Sequence, residues 1–157
     1  MFDVSSLLLR VQVTRPILSL TLLRVLIGLI FVKEGSGKLL GWFQHGGLEI
    51  TQAYFREIGV PFANASAVLV GATEAICGCL LIAGFLTRLA VVPIALVMFV
   101  AIVTVHASVG YAYPLLLCAS FFVLGQSGSG SFSVDSYMSE RGVYKPVGTP
   151  YVKLRNR

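Results

Sequence analysis

Charged residues along this chain are set apart by long apolar blocks, and the blocks have bilayer length. Residues 65–86 (ASAVLVGATEAICGCLLIAGFL) form a run of 22 in which Glu74 is the only charge. About 20 residues rising ~1.5 Å each cross a hydrocarbon core of ~30 Å, so this run predicts a transmembrane helix. Residues 89–134 contain no Asp, Glu, Lys or Arg over 46 positions. That is too long for one span, and Ser108-Val109-Gly110 supplies the break. Four spans are predicted, at about 17–38, 65–86, 89–106 and 113–124. The fold class is therefore all-α, a four-helix transmembrane bundle occupying residues 17–126. A cytoplasmic lead-in at 1–16 precedes it and a cytoplasmic C-terminal tail at 127–157 follows it.

The segments between the blocks refine this outline. Residues 41–64 form the one sizeable external loop. Within it 48–58 (LEITQAYFREI) places Ile50, Tyr54, Phe55 and Ile58 on roughly one side and Glu49, Arg56 and Glu57 elsewhere. This predicts an interfacial helix capping the bundle, stopped by Gly59-Val60-Pro61, with Trp42 in the aromatic belt before it. The turn Gly84-Phe85-Leu86-Thr87-Arg88 is so short that the second and third spans must be antiparallel neighbours. Pro93 falls in the first turn or so of the third span and Pro114 opens the fourth, positions where proline is tolerated. After Gly125 a Gly/Ser link leads to a short helix following Ser133. Residues 145–157 lack apolar periodicity and read as extended, ordered only when something holds them. The lead-in carries Val4, Leu7, Leu8 and Val11 on an amphipathic pattern suited to a membrane surface. The first span contains Arg24 and has no small-x-small cleavage site, so it stays in the protein.

Composition agrees. Hydrophobic residues make up 56% of 157, charged residues 12%, and the mean hydropathy is +0.85, which excludes an ordinary soluble domain. Eight Lys and Arg (Arg10, Arg15, Arg88, Arg141, Lys145, Lys153, Arg155, Arg157) fall on one side of the predicted spans, against Lys33, Lys38 and Arg56 on the other. The positive-inside rule then places both termini in the cytoplasm. The net charge of +5 follows from this topology and from attraction to anionic lipid heads, without a nucleic-acid partner. Cys77 and Cys79 point ~200° apart on a helix and cannot form a disulfide; with Cys118 they read as small packing residues.

Two constellations could carry chemistry. Arg24, Gly28, Phe31, Gly35 and Lys38 share one face of the first span, and Ala67, Gly71, Glu74 and Gly78 share one face of the second. Glycines at this spacing let membrane helices approach closely. A carboxyl in mid-span costs roughly 2.5–3.5 kcal/mol on insertion scales, so Glu74 needs a partner. Counting rise from the cytoplasmic edge puts Arg24 at ~12 Å and Glu74 at ~16 Å, which predicts an intramembrane Arg24–Glu74 ion pair. Such a pair could hold two helices in register, accept protons or hold a ligand. Near the outer end lies a second cluster: Lys33, Glu34 and Lys38 closing the first span, His106 closing the third, Tyr111 and Tyr113 opening the fourth. It could hold the carbonyls of a quinone or relay protons, or it could be a layer of snorkelling lysines and belt tyrosines. No set of ligands suits a metal, and His45 stands apart in the loop.

The motifs also hold an order. Leu22-Leu23-Arg24 and Gly35-x-x-Lys38-Leu39 mark the first span, and Tyr54-Phe55-x-x-x-Gly59-x-Pro61 the loop. Gly71-x-x-Glu74-x-x-x-Gly78 marks the second span, and Gly84-Phe85-Leu86-Thr87-Arg88 the turn. Val97-Met98 leads to His106, then come Tyr111-Ala112-Tyr113-Pro114 and Gly128-Ser129-Gly130-Ser131-x-Ser133-Val134-Asp135. Over about residues 20–137 this resembles the DoxX family of small four-helix bacterial membrane proteins. The resemblance implies a multi-pass protein of the bacterial inner membrane, linked to thiosulfate:quinone oxidoreduction or to membrane-associated oxidoreductase complexes. Ala112 stands where the family often has an acidic residue, and Lys33-Glu34-Gly35 where it often has His-Gly. Both departures fall in the outer cluster. One expectation is a membrane subunit of an oxidoreductase or respiratory-type complex, with quinone at that cluster. The alternative is a non-catalytic accessory subunit, bound to a larger membrane complex or to a second copy of itself. A carrier gated at Arg24–Glu74 is disfavoured by four short spans without a repeat. No residue set implies a covalently bound redox cofactor, so electron transfer would need a partner; no catalytic residue is assigned.

Overall fold

A computed structural model describes residues 16–44, 46–104, 112–130 and 132–141. The first helix, α1, spans Pro16–Leu40, its proline at the first helical position, where the missing N–H is harmless. A 3-10 turn at Trp42–Gln44 leads to the short helix α2, Gly47–Glu57. Then come α3, Ala63–Ala83; α4, Thr87–Thr104; α5, Ala112–Ser127; and α6, Val134–Glu140. The described residues contain no strand. The four long helices match the four predicted spans within a few residues. α3 and α4 are long and apolar enough to cross a membrane, and α5 is a shorter apolar helix. The predicted break at 108–110, the lead-in and the last residues of the tail lie outside the described residues.

The two predicted faces are the buried ones. Arg24, Gly28, Phe31 and Gly35 on α1 are buried, as are Ala67, Gly71, Glu74 and Gly78 on α3. Their glycines interlock. A Cβ on Gly35 would stand 2.4 Å from the Ala75 nitrogen and 2.6 Å from the Gly71 oxygen. One on Gly78 would stand 2.8 Å from the Val32 nitrogen. Backbone meets backbone here, and α1 and α3 form the closest pair in the bundle. Beside them Ile27, Phe31, Cys77, Leu81, Ala90, Val91, Ile94, Leu117, Phe121 and Leu124 make the apolar core. The rings of Phe31 and Phe121 lie 5.5 Å apart.

The exterior is as apolar as the core. Leu18, Leu22, Leu26 and Leu29 on α1, Ile76 on α3, Val92, Phe99 and Val103 on α4, and Leu116 and Phe122 on α5 are exposed. A water-soluble surface does not carry apolar patches of this extent, whereas acyl chains solvate them. With Arg24 and Glu74 buried and leucines outside, the pattern is that of a membrane bundle.

α3 ends at Gly84 in a Schellman motif. The Phe85 N–H donates to the Leu80 carbonyl (3.0 Å) and the Gly84 N–H to that of Leu81 (3.1 Å). Gly84 has φ +68°, a conformation that favours glycine, and a Cβ there would also strike the Arg24 guanidinium. α6 starts at Ser133, whose hydroxyl accepts from the Ser136 N–H at 3.1 Å, the predicted short helix with an N-cap.

Candidate functional site

Glu74 has a partner, and it is Lys38. The Lys38 ammonium donates to Glu74 Oε1 at 2.6 Å and Oε2 at 2.5 Å. The Glu74 side chain is 1% exposed and that of Lys38 22%. Local sequence makes the contact possible. At Gly71 a Cβ would stand 2.8 Å from Leu39 Cγ and 3.5 Å from Lys38 Cβ, so the glycine lets the end of α1 close onto α3. Thr51, buried on α2, donates its hydroxyl to the Gly47 carbonyl (2.9 Å) and to that of Lys38 (3.3 Å), tying α2 to the same point.

The predicted Arg24–Glu74 ion pair does not form. Gly35 lies against Gly71 and Ala75, and Gly28 against Gly78 and Ile82. Glu74 is therefore level with Glu34 and Gly35, about ten residues or ~15 Å along the axis from Arg24. The depth estimate failed because it took the helix ends as level, whereas α1 runs more than a turn past the α3–α4 turn. Arg24 is buried at that opposite end. Its Nη1 donates to the Ser129 carbonyl, and its Nη2 to that of Phe132 at 2.7 Å. Around it the Asp135 N–H donates to the Gly84 carbonyl (3.1 Å), and the Leu86 N–H to Asp135 Oδ1 (3.0 Å). Arg88 Nη2 donates to the Gln126 carbonyl at 3.0 Å. This clasp ties the α3–α4 turn to α6 and the end of α5, while Arg24 of α1 holds the Gly/Ser link between them. The link is thus packed onto the bundle from its first residues.

The Glu74–Lys38 pair lines a cavity of about 430 Å³. Its walls come from Ile30, Phe31, Glu34 and Lys38 of α1, Tyr54 and Phe55 of α2, and Leu69, Val70 and Glu74 of α3. Leu96, Val97, Val100 and Ala101 of α4, Tyr113, Pro114 and Leu117 of α5, and Ile58 and Val60 after α2 face the same space. Most of the lining is apolar; its polar groups are Glu34, Lys38, Glu74, the two tyrosines, Ser66 and Thr104. Of the predicted outer cluster, Glu34, Lys38 and Tyr113 share this cavity. Lys33 is exposed and does not line it, while its carbonyl accepts from the Ser36 hydroxyl at 3.2 Å. His106 and Tyr111 lie outside the described residues. Among the described residues, no three His, Cys, Asp or Glu come together in a way that could hold a metal ion.

Sequence reasoning missed Thr51, Asp135 and the role of Lys38. A usable signal was present. Laying Gly28 opposite Gly78 and Gly35 opposite Gly71 sets the antiparallel register, and that register brings Lys38, not Arg24, towards Glu74. Of the face predicted for α2, Tyr54, Phe55 and Ile58 line the cavity, whereas Ile50 is exposed and the neighbouring Thr51 is buried.

The family model for DoxX matches residues 19–107, which include both glycine faces, Lys38, Glu74 and the turn. The chain belongs to the DoxX family. It is 33% identical over 140 residues to "Uncharacterized membrane protein Rv3486" of Mycobacterium tuberculosis, covering 78% of this chain and 83% of that one. It is also 33% identical over 121 residues to "Putative oxidoreductase CatD" of Bacillus subtilis, covering 74% and 84%. No solved structure matches the chain. The two buried polar sites, one at each end of the α1–α3 pair, are thus placed on a DoxX membrane protein.

Proposed function

We propose that this DoxX protein is a membrane-embedded subunit of an oxidoreductase system and holds a quinone in the cavity, its ring against Lys38 and Glu74. The observation that carries the reading is an ion pair, its carboxylate fully buried, on the wall of a largely apolar cavity. A quinone is a flat apolar ring with two opposed carbonyls. It needs donors for those oxygens and, when reduced, groups that exchange protons. The Lys38 ammonium has three N–H groups, of which two go to Glu74 and a third is available to a carbonyl. The Tyr113 hydroxyl is a second donor on the wall, and Glu34 and Glu74 are the proton-exchanging carboxyls. The volume lies within the roughly 300–1,000 Å³ usual for small-molecule sites. Electrons reach the quinone from a partner subunit, while this chain binds, orients and protonates. The name of the Bacillus subtilis relative supports an oxidoreductase setting. The basic-residue asymmetry supports cytoplasmic termini, with the cavity in the outer half of the bilayer.

The test is co-purification. Protein extracted in mild detergent carries up to one quinone per chain by mass spectrometry, and K38M lowers that content at least tenfold. Wild-type protein with neither quinone nor an oxidoreductase polypeptide refutes the proposal.

A further inference from the structure

The cavity is not closed by protein on every side. Ala90, Val91 and Ile94 of α4 are buried, but none of the described residues of α4 after Ile94 is. Burial therefore stops just past Pro93, and the distal half of α4 leaves a slot beside α3. Leu69 on α3 and Leu96 and Val100 on α4 line the cavity and are also 69%, 63% and 47% exposed. A residue that lines a cavity and is exposed marks its mouth, and by that measure Tyr54 and Tyr113, 41% and 55% exposed, form its polar rim beside the apolar stretch. In a membrane bundle, a mouth of leucine and valine on the helix flanks opens onto acyl chains and not onto water. Glu74 lies five residues from Leu69 on α3, only ~7.5 Å along the axis. The Glu74–Lys38 pair thus connects by a short apolar slot to the lipid phase.

We infer that the quinone enters sideways from the bilayer between α3 and α4, and that the slot holds the first units of its polyprenyl tail. The occupant follows from the continuity of the two surfaces. A ligand with a polar ring at Glu74–Lys38 and an apolar chain leaving through Leu69, Leu96 and Val100 fills both, whereas a ring alone leaves the slot empty. A second copy of the chain seated on α4 would cover the slot from outside but would not reach the ion pair. α2 roofs the same space through Tyr54 and Phe55. This inference rests on the quinone reading of the site, and it makes Leu69 and Val100 the residues that select for tail-bearing quinones.

The experiment uses the full chain in lipid nanodiscs and two probes with one benzoquinone ring, one tailless and one bearing two prenyl units. L69W/V100W narrows the mouth; L116W, on the exposed face of α5, is the control. The expected result is a loss of at least tenfold in affinity for the tailed probe in L69W/V100W, with the tailless probe within threefold of wild type in both variants. A tailed probe with a photoreactive group at its chain end should label wild-type peptides containing Leu69 or residues 96–100. Equal losses for both probes, unchanged binding of the tailed one, or labelling confined to α1 or α5 overturns lateral entry. If neither probe binds wild-type protein, the quinone reading itself fails. If both bind wild type alike and labelling misses the slot, only the tail assignment fails.

Discussion

Replacing Lys38 with methionine strands a carboxylate that is 1% exposed. Methionine keeps the unbranched stem of the side chain, one atom shorter, and so removes chiefly the charge. Removing one partner of a buried pair costs about 3–5 kcal/mol, because the remaining charge keeps its desolvation penalty and loses its compensation. Lys38 retains 22% exposure, which lets water reach part of the site and places the effect near the lower end, about 3 kcal/mol. For a chain of this size ~1 kcal/mol moves a thermal midpoint by ~2–4 °C, so K38M should lower Tm by roughly 6–12 °C. E74Q leaves a buried amide in place of the carboxylate, so it should also lower Tm, by less than K38M. In K38M/E74Q no bare charge remains, and the double variant should recover most of the K38M loss. The assay is thermal unfolding of detergent-solubilised protein for wild type, both single variants and the double. Additive losses, or a K38M midpoint within 2 °C of wild type, would refute a coupled pair.

Other expectations follow from the same geometry. G35A drives a Cβ into the Ala75 and Gly71 backbone and should lower Tm by at least 6 °C, whereas G125A, with nothing within 4 Å, should leave it unchanged or raise it slightly. R24M removes both guanidinium bonds to the Ser129 and Phe132 carbonyls; limited proteolysis should then cut within 128–141 at least tenfold faster while the α3–α4 region stays protected. A reporter active only outside the cytoplasm should be silent when fused after Arg157, and activity there would reverse the assigned orientation.

Much of this arrangement was legible because membrane helices announce their buried faces through small residues. Gly28, Gly35, Gly71 and Gly78 mark the α1–α3 contact, and all four sit where a side chain would separate the helices. The length of the apolar blocks likewise fixed which segments became helices. What spacing alone did not yield was the axial offset of α1 against α3. Counting from assumed membrane edges shifted Arg24 towards Glu74, and only close approach at the glycines sets the true offset. The partners of Arg24 are main-chain carbonyls more than a hundred positions away, and any residue can supply a carbonyl, so no side-chain pattern marks them. Lys38 read as an interfacial lysine because it ends a span. It is drawn inward by a carboxylate whose level depends on that same offset. α2's periodicity marked Tyr54, Phe55 and Ile58, which line the cavity, but gave no sign that Thr51 would be buried and bonded to the Lys38 carbonyl.

The central claim is that the Glu74–Lys38 pair binds a quinone, and a binding isotherm in nanodiscs tests it most directly. Titration of wild-type protein with a prenylated benzoquinone should saturate at one per chain. Loss of a hydrogen bond from a charged donor is worth about 1.5–3 kcal/mol, so K38M should weaken Kd by about 10- to 150-fold. L116W, away from the cavity, should bind as wild type does. Saturable binding with an unchanged Kd in folded K38M, or no saturable binding to wild-type protein, would contradict the account.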